Sequence, residues 1–369
     1  MAPTQDALYQ EIDLELSWSE KELPQRERTK HVHALHPYLG KFIPQLVEVL
    51  LARYLRPGQR VLDPFAGSGT TLVQALESGL DATGSDIAAF NVLLMRVKLA
   101  EVNPFTLEHD LRGALDRLEP ADGEATPYLR EWFAPEALRD LLGFRARIPE
   151  YEHADVLRVV LARAARSARL TTHFDLDFPR APQHGPYWCH KHKRECRPVE
   201  RADHFLRRYG LDTLARIRAF ARVRARGRAA QVLHGDARDL DYGRRFDGVV
   251  TSPPYPGLID YHEQHRYAYE LLGLDDLGDL ELGRGASRRA LDEYVEGVAA
   301  VLANARAHLR PGAPVLIVVA DRRDLYPEIL ERAGLRLEER LRRHVNRRTG
   351  RRAGEFFEDV LVARKKSHS

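Results

Sequence analysis

The run RVLDPFAGSGTTLVQALESG, Arg60 to Gly79, changes its apolar period half-way along. "RVLDPF", Arg60 to Phe65, reads as a buried strand, and "TTLVQALESG" reads as the helix after it, closed by Gly79. Between them Gly67 and Gly69 permit a tight turn and a ligand's close approach, and the helix start near Thr70 aims free amides at that ligand. Outward from this unit, "DATGSDI" reads as a second strand and "AAFNVLLMRVKLAEV" as a second helix. Such a βαβα opening predicts an α/β fold with a parallel sheet. The strand pattern returns late in the chain, at "QVLHGDARDL", "FDGVV", "APVLIVVAD" and "EDVLVARK", with a helix over about Leu291 to Leu309.

Between the two strand-bearing blocks, from about Phe105 to Ala230, the sequence is helical, irregular and rich in Arg, Pro and aromatics. Val156, Leu157, Val160 and Leu161 mark one amphipathic helix within it. The block reads as an insertion, and four regions follow: an N-terminal extension (1–28), a first half (29–104), the insertion (105–230) and a second half (231–369). With 369 residues, 44% of them hydrophobic, the chain can bury a large core. Its longest apolar run, "APVLIVVA", is too short to span a bilayer, and the amino terminus has no signal-peptide core, so a cytoplasmic location is expected. The two cysteines, Cys189 and Cys196, form no disulfide framework.

Net charge is +3, yet the basic residues cluster at His190 to Arg194, Arg216 to Arg228 and Arg342 to Arg352. These clusters suit phosphate contacts, or are solvated helix faces in an Arg-rich chain. The glycine turn lacks the Lys-Ser/Thr ending of a P-loop and the full dinucleotide fingerprint, which disfavours ATP and NAD. Asp86 ends the second strand about 20 residues further on, where a carboxylate can accept from a ribose hydroxyl pair. The same residue would equally cap the next helix. Together the two features describe a nucleoside-containing cofactor that needs no phosphate compensation. "TSPPYPG", Thr251 to Gly257, follows the apolar "FDGVV", and Pro253 and Pro254 end that strand in a stiff loop at the sheet's carboxyl edge, where ligands of open α/β sheets bind.

"DPFAGSGT" followed by "TSPPY" resembles the amino-methyltransferases, S-adenosylmethionine-dependent enzymes that methylate the exocyclic amine of cytosine or adenine in DNA. The resemblance covers Thr29 to Val102 and Gln231 to Lys365. It implies a Rossmann-like methyltransferase fold with a mostly parallel seven-stranded sheet and a largely helical insertion that serves as the target-recognition region, in the linear order of the family's α group. It implies S-adenosylmethionine as cofactor, held by Asp63, Phe65, Ala66, Gly67, Gly69, Thr70, Asp86, Ile87, Asp236 and Ala237. Asp236 would meet the adenine amine, or cap a turn. "HPYLGKFIPQL", His36 to Leu46, resembles the family's motif over the methionine end, which adds Lys41 and Phe42; the stretch also reads as a staple into a helix over Pro44 to Tyr54.

The catalytic residues implied are Ser252, Pro253, Pro254 and Tyr255. An exocyclic amine is a poor nucleophile because its lone pair is delocalised into the ring, so acceptors must fix its hydrogens as positive charge develops. Ser252 and the Pro253 carbonyl supply acceptors, and Tyr255 supplies a ring for the extruded base. Ser at the first position tilts the resemblance toward cytosine-N4, with adenine-N6 as the alternative. No metal and no covalent intermediate are required.

On the substrate side, "IDYHEQHRYAYELLGL" places Asp260, His262, His265, Arg266 and Tyr269 on a helix at the site's mouth, as nucleic-acid contacts or a plain polar face. "YWCHKHKREC" reads as a basic, aromatic-flanked loop touching nucleic acid through Tyr187, Trp188, Lys191, Lys193 and Arg194. Cys189, His190, His192 and Cys196 within it are zinc-ligand types, in a spacing that matches no standard knuckle. The reading that results is a DNA cytosine-N4 methyltransferase acting alone or beside a cognate restriction endonuclease, with no membrane partner. An RNA amine methylase is the nearest rival; a non-catalytic binding module or a small-molecule methyltransferase explains less of the chain.

Overall fold

The computed structural model describes residues 12–19, 21–37, 42–170, 181–189, 193–257, 261–285, 287–345 and 356–366. Nine strands occur among them: β1 Arg60–Asp63, β2 Asp81–Asp86, β3 Tyr187–Cys189, β4 Arg194–Cys196, β5 Ala230–His234, β6 Gly248–Thr251, β7 Val315–Val319, β8 Leu335–Val345 and β9 Phe356–Lys365. Seven of them build one sheet in the order β5-β2-β1-β6-β7-β9-β8. The first five are parallel, and β9 and β8 run antiparallel to their neighbours. This is the expected Rossmann-like α/β fold.

Side chains alternate across the sheet into two cores. Val61, Val250, Leu316, Val318 and Val360 face a core built with helices Pro44–Tyr54, Thr70–Glu77 and Ala89–Leu99. Leu62, Val249, Val315, Ile317 and Leu361 face the other, with helices Arg288–Ala307 and Tyr326–Arg332. Burial on both faces explains why the central strands read as unbroken apolar runs.

The insertion is helical as expected, with helices Pro104–Asp116, Pro127–Trp132, Pro135–Arg147, Ala154–Ala168 and Asp203–Val223. Pro at the first position, where its missing donor costs nothing, begins three of them, and Asn103 and Thr126 cap two. Their apolar faces join the first core rather than forming a separate one. Fully buried Asp140 fastens the start of the last helix: it accepts a forked pair from Arg201, both at 2.8 Å, and the Ala202 amide at 2.8 Å. No helix among the described residues is long and apolar enough to cross a membrane.

Three readings change. The basic cluster Arg216 to Arg228 is stitched into the protein: Arg216 meets Asp212, Arg218 meets Glu108, Arg224 meets Glu101 and the Leu99 carbonyl, and Arg228 meets Asp81. The "YWCHKHKREC" stretch is a hairpin, β3 on β4, rather than a loop. The basic cluster Arg342 to Arg352 begins inside a strand: Leu335–Val345 forms the edge of the sheet. Residues 12–18 lie along that strand, bridging Ile12 to Arg342 and Trp18 to Val345.

Candidate active site

The carboxyl ends of β1, β2, β5 and β6 open onto one cleft with about 850 Å³ of empty space, counting the solvent at its mouth. After β1 the chain turns through Pro64 to Ser68 and enters the helix Thr70–Glu77 from Gly69, whose φ of 80° suits glycine. Gly84 of β2 lies beneath: a Cβ there would come within 2.6 Å of Leu72 and 2.8 Å of Ala66, so only glycine lets the helix and turn settle onto the strand. Buried Lys98 donates to the Ser68 carbonyl and holds the turn's outer end.

Phe65, Ala66, Gly67 and Thr70 line the cleft as expected, as do Phe42, Asp86, Ile87, Asp236, Ala237, Ser252 and Pro254. Asp86 holds the start of the next helix, one of the two roles read for it, and its side chain also faces the cleft. It accepts from the Gly67 amide at 2.9 Å, the Ala88 amide at 2.8 Å and Asn91 Nδ2 at 3.1 Å, which ties the glycine turn to the next helix. Burial pushes its carboxyl up, against those bonds, and the nearby Glu281 charge adds to the rise. Asp236 likewise faces the cleft while its carboxylate is gripped by Arg238, which holds it low, and its carbonyl closes a turn with Asp239 and Leu240.

Asp63 is a correction. It lies outside the cleft lining, buried, and braces three segments: it accepts from the Phe65 amide (3.1 Å), Thr71 Oγ1 (2.6 Å) and Thr251 Oγ1 (2.7 Å). Burial pushes it up to about 6 despite those bonds. It therefore joins the cofactor turn to the residue just before Ser252. Gly69 also lies outside the lining, turned toward Met95. Lys41 falls outside the described residues.

Ser252 Oγ donates to the Val318 carbonyl of β7 at 2.9 Å. Ser252 also lines the cleft and lies within hydrogen-bond reach of the Tyr255 hydroxyl. Tyr255 is half-buried beside the cleft rather than in its wall, and its hydroxyl donates to Glu358 of β9 at 3.1 Å. Burial and the Glu358 charge hold that phenol well above its ordinary range, so it is neutral. Pro253 is buried behind the loop.

The mouth helix differs from its reading. His265 is 2% exposed and packed against Phe90 and His36, a core residue that presents nothing to a nucleic acid. Arg266 is exposed, but it pairs with Glu263 and Glu270 and covers the Tyr128 ring. His262 is buried in the cleft wall, its Nδ1 2.8 Å from Glu281. Glu281 and Asn91 are cleft residues that the sequence did not flag; Glu281 sits in "GDLELG", a stretch with no motif to mark it. In the hairpin, Trp188 is 59% exposed on one face, and Arg194, Cys189 and Cys196 share the other. Lys193 is exposed at a positive φ; His190, Lys191 and His192 lie outside the described residues.

The cleft's electrostatics are one-sided. Asp86, Asp236 and Glu281 line it, and no Lys or Arg does among the described residues. Such a wall repels phosphate and suits a cationic, hydroxyl-bearing nucleoside, which is the chemistry of a sulfonium-bearing adenosine.

Known proteins agree with this chemistry. A family model described as DNA methylase matches residues 5–94. The chain is 34% identical to the Type II methyltransferase M.MjaII of Methanocaldococcus jannaschii, across 92% of this chain and 81% of that protein. It is 27% identical to the Type II methyltransferase M.MvaI of Kocuria varians, across 37% and 34%. A solved structure, TrmN from Thermus thermophilus, aligns with 89% of this chain and 50% of its own at a TM-score of 0.36 and 15% identity. The first relative's identity and span settle the family: the chain belongs to the DNA methylases, with S-adenosylmethionine as its cofactor.

Proposed function

We propose that the chain transfers the methyl group of S-adenosylmethionine to the N4 amine of cytosine at a specific site in DNA. What supports the base choice is Ser252 itself, the residue at the head of the proline loop that tilts the resemblance toward cytosine; it lines the cleft, and its hydroxyl donates to the Val318 carbonyl. Ser252 and Pro254 line the acidic cofactor cleft, and the Pro253 carbonyl would have to turn toward it to serve as the second acceptor. Ribose hydroxyls would meet Asp86, the adenine would lie against Ile87 and Ala237 with its amine toward Asp236, and Phe42 would cover the methionine end. S-adenosylmethionine supplies the methyl group as an electrophile on a sulfonium. The acceptors would hold the amine's hydrogens and free its lone pair for the methyl carbon; the S–C bond would break as the N–C bond forms, leaving S-adenosylhomocysteine, and the amine's surplus proton would pass to water. Tyr255, its hydroxyl pinned by Glu358, offers a fixed ring to a base drawn from the duplex. The insertion, with Trp188, Lys193 and Arg194 on its hairpin, is the target-recognition region.

Mass spectrometry of nucleosides tests this, after the protein is incubated with isotope-labelled S-adenosylmethionine and either duplex DNA or structured RNA. Labelled N4-methylcytosine from DNA is the expected result. Labelled N6-methyladenine would overturn the base assignment, and label confined to RNA would overturn the substrate.

A further inference from the structure

At the opposite end of the helix that carries the cofactor turn, three metal-ligand types converge. His31 and His33 come from the turn His31–Ala34, and Glu77 is the last residue of the helix Thr70–Glu77. One ligand atom from each lies within 4.8 Å of the other two. His31 and Glu77 side chains are 7% and 13% exposed, and His33 is fully buried.

His31 and Glu77 are in close contact, and the His31 ring helps hold the Glu77 carboxyl low against its burial. His31 Nε2 and Glu77 Oε1 are 2.6 Å apart, yet they are out of line for a hydrogen bond, and both are buried atoms without one. His31 Nδ1 is in the same position. An ion pair that closed this gap for its own sake would point the ring N–H at the oxygen.

The surroundings match those of a ligand set. His33 Nε2 is 3.1 Å from Gln74 Oε1, the outer contact that fixes a ligating imidazole's tautomer and turns its other nitrogen outward. Glu77 splits its oxygens: Oε1 faces His31, while Oε2 accepts from Lys30 at 2.7 Å, so one carboxylate oxygen stays available with Lys30 in place. The helix carbonyl end adds negative potential. His31 is held at φ 31°, a conformation that costs a non-glycine residue and persists only where its surroundings fix it. Its ring stacks on Phe220, with centroids 5.3 Å apart.

We propose that His31, His33 and Glu77 bind a divalent transition-metal ion, best suited to zinc, which fastens the N-terminal segment to the back of the cofactor-bearing helix. Two imidazoles and a carboxylate are a borderline-soft set with room for a water as fourth ligand. Metal bonds of about 2.0–2.2 Å set tetrahedral ligands about 3.4 Å apart, so the His31–Glu77 contact needs to open by less than an ångström or so.

Cobalt(II) titration separates this site from the Cys189/Cys196 hairpin. The chelator-treated full-length protein, with Cys189→Ser and Cys196→Ser, is titrated with cobalt and then zinc, followed by absorption, calorimetry and thermal unfolding. The expected result is one equivalent of metal, visible d–d bands without a thiolate charge-transfer band, and a rise in Tm. Glu77→Gln, which keeps the shape, and His33→Ala should each weaken binding beyond the about 10–100-fold typical of outer-shell changes, with the circular dichroism spectrum unchanged for Glu77→Gln. Absence of binding in the cysteine-free protein, or binding that Glu77→Gln leaves unchanged, overturns the site. Neither outcome depends on methyl transfer.

Discussion

Asp63 is a buried carboxylate with no cation beside it, and Asp63→Asn isolates the cost of its charge. In the unfolded chain it titrates near 3.8, and in the fold near 6. The folded value is the higher, so the folded chain holds the extra proton between those limits; the contribution of Asp63 to stability is complete below about pH 4 and is lost as pH rises through about 6. A rise of about two units, at about 1.4 kcal/mol each, makes the full loss about 3 kcal/mol, of which about 2 kcal/mol falls between pH of about 4.5 and 7.5. Asparagine keeps the shape and never ionises. Its oxygen can retain the Phe65 amide and the Thr251 hydroxyl, and its amide can donate to Thr71, whose proton then turns to the Val250 carbonyl 3.3 Å away. Urea unfolding of both proteins at several pH values checks this: Asp63→Asn should gain on the wild type by about 2 kcal/mol over that span. A difference between the two that is flat with pH, or that moves the other way, would show that the carboxyl is not strained by burial and that its brace depends on charge.

Other expectations follow from single contacts. Ser252→Ala should lower kcat by about 10²–10³, the scale of one lost preorganised partner, with S-adenosylmethionine Kd little changed in calorimetry; a rise in Kd with kcat intact would remove Ser252 from the chemistry. Asp86→Ala should weaken cofactor binding by about tenfold or more and also lower Tm, because the Gly67 and Ala88 amides lose their acceptor. Glu281→Gln should weaken cationic S-adenosylmethionine more than neutral 5′-methylthioadenosine, measured by competition; equal losses would make Glu281 a structural residue only. Arg194→Ala should reduce the salt slope of DNA affinity by about 0.9, the share of one phosphate contact, and leave cofactor Kd alone, whereas Arg266→Ala, already paired with Glu263 and Glu270, should change neither.

Six strands of the main sheet were legible, most of them as apolar runs bounded by turn residues; β2, DATGSD, was read from its place between two helices. The seventh, β8, was not. It lies at the edge and reads LRLEERLRRHV, with charged side chains at six of its positions; charged edges are how sheets avoid pairing with other chains. The cofactor turn and the proline loop could be read because glycine and proline impose backbone shapes that few other residues allow. Asp63 was placed in the right loop and given the wrong task, since its partners Thr71 and Thr251 are 8 and 188 residues away. The Arg216 to Arg228 cluster misled for the same reason: Glu108 and Asp81, which neutralise two of its members, lie more than 100 residues upstream. Glu281 carried no local signal at all. It reaches the cleft only because Gly257 and Gly283 join backbones and bring its segment against the proline loop.

The β8–β9 hairpin does more than finish the sheet. Glu358, which receives the Tyr255 hydroxyl, stands opposite Arg343 in the ladder, and Arg343 in turn donates to Glu358 and to the Leu16 carbonyl. Alternation along a strand means that a slip of one residue would send Glu358 to the other face and leave Tyr255 without its anchor. A hairpin zipped one step out of place would leave the cofactor cleft, built from β1, β2, β5 and β6, untouched. Such a molecule would be soluble, folded and able to load its cofactor, yet idle. Assembly errors at this edge would then be invisible to a binding assay and, if Tyr255 plays the role proposed for it, would register only as a fraction of protein that never turns over.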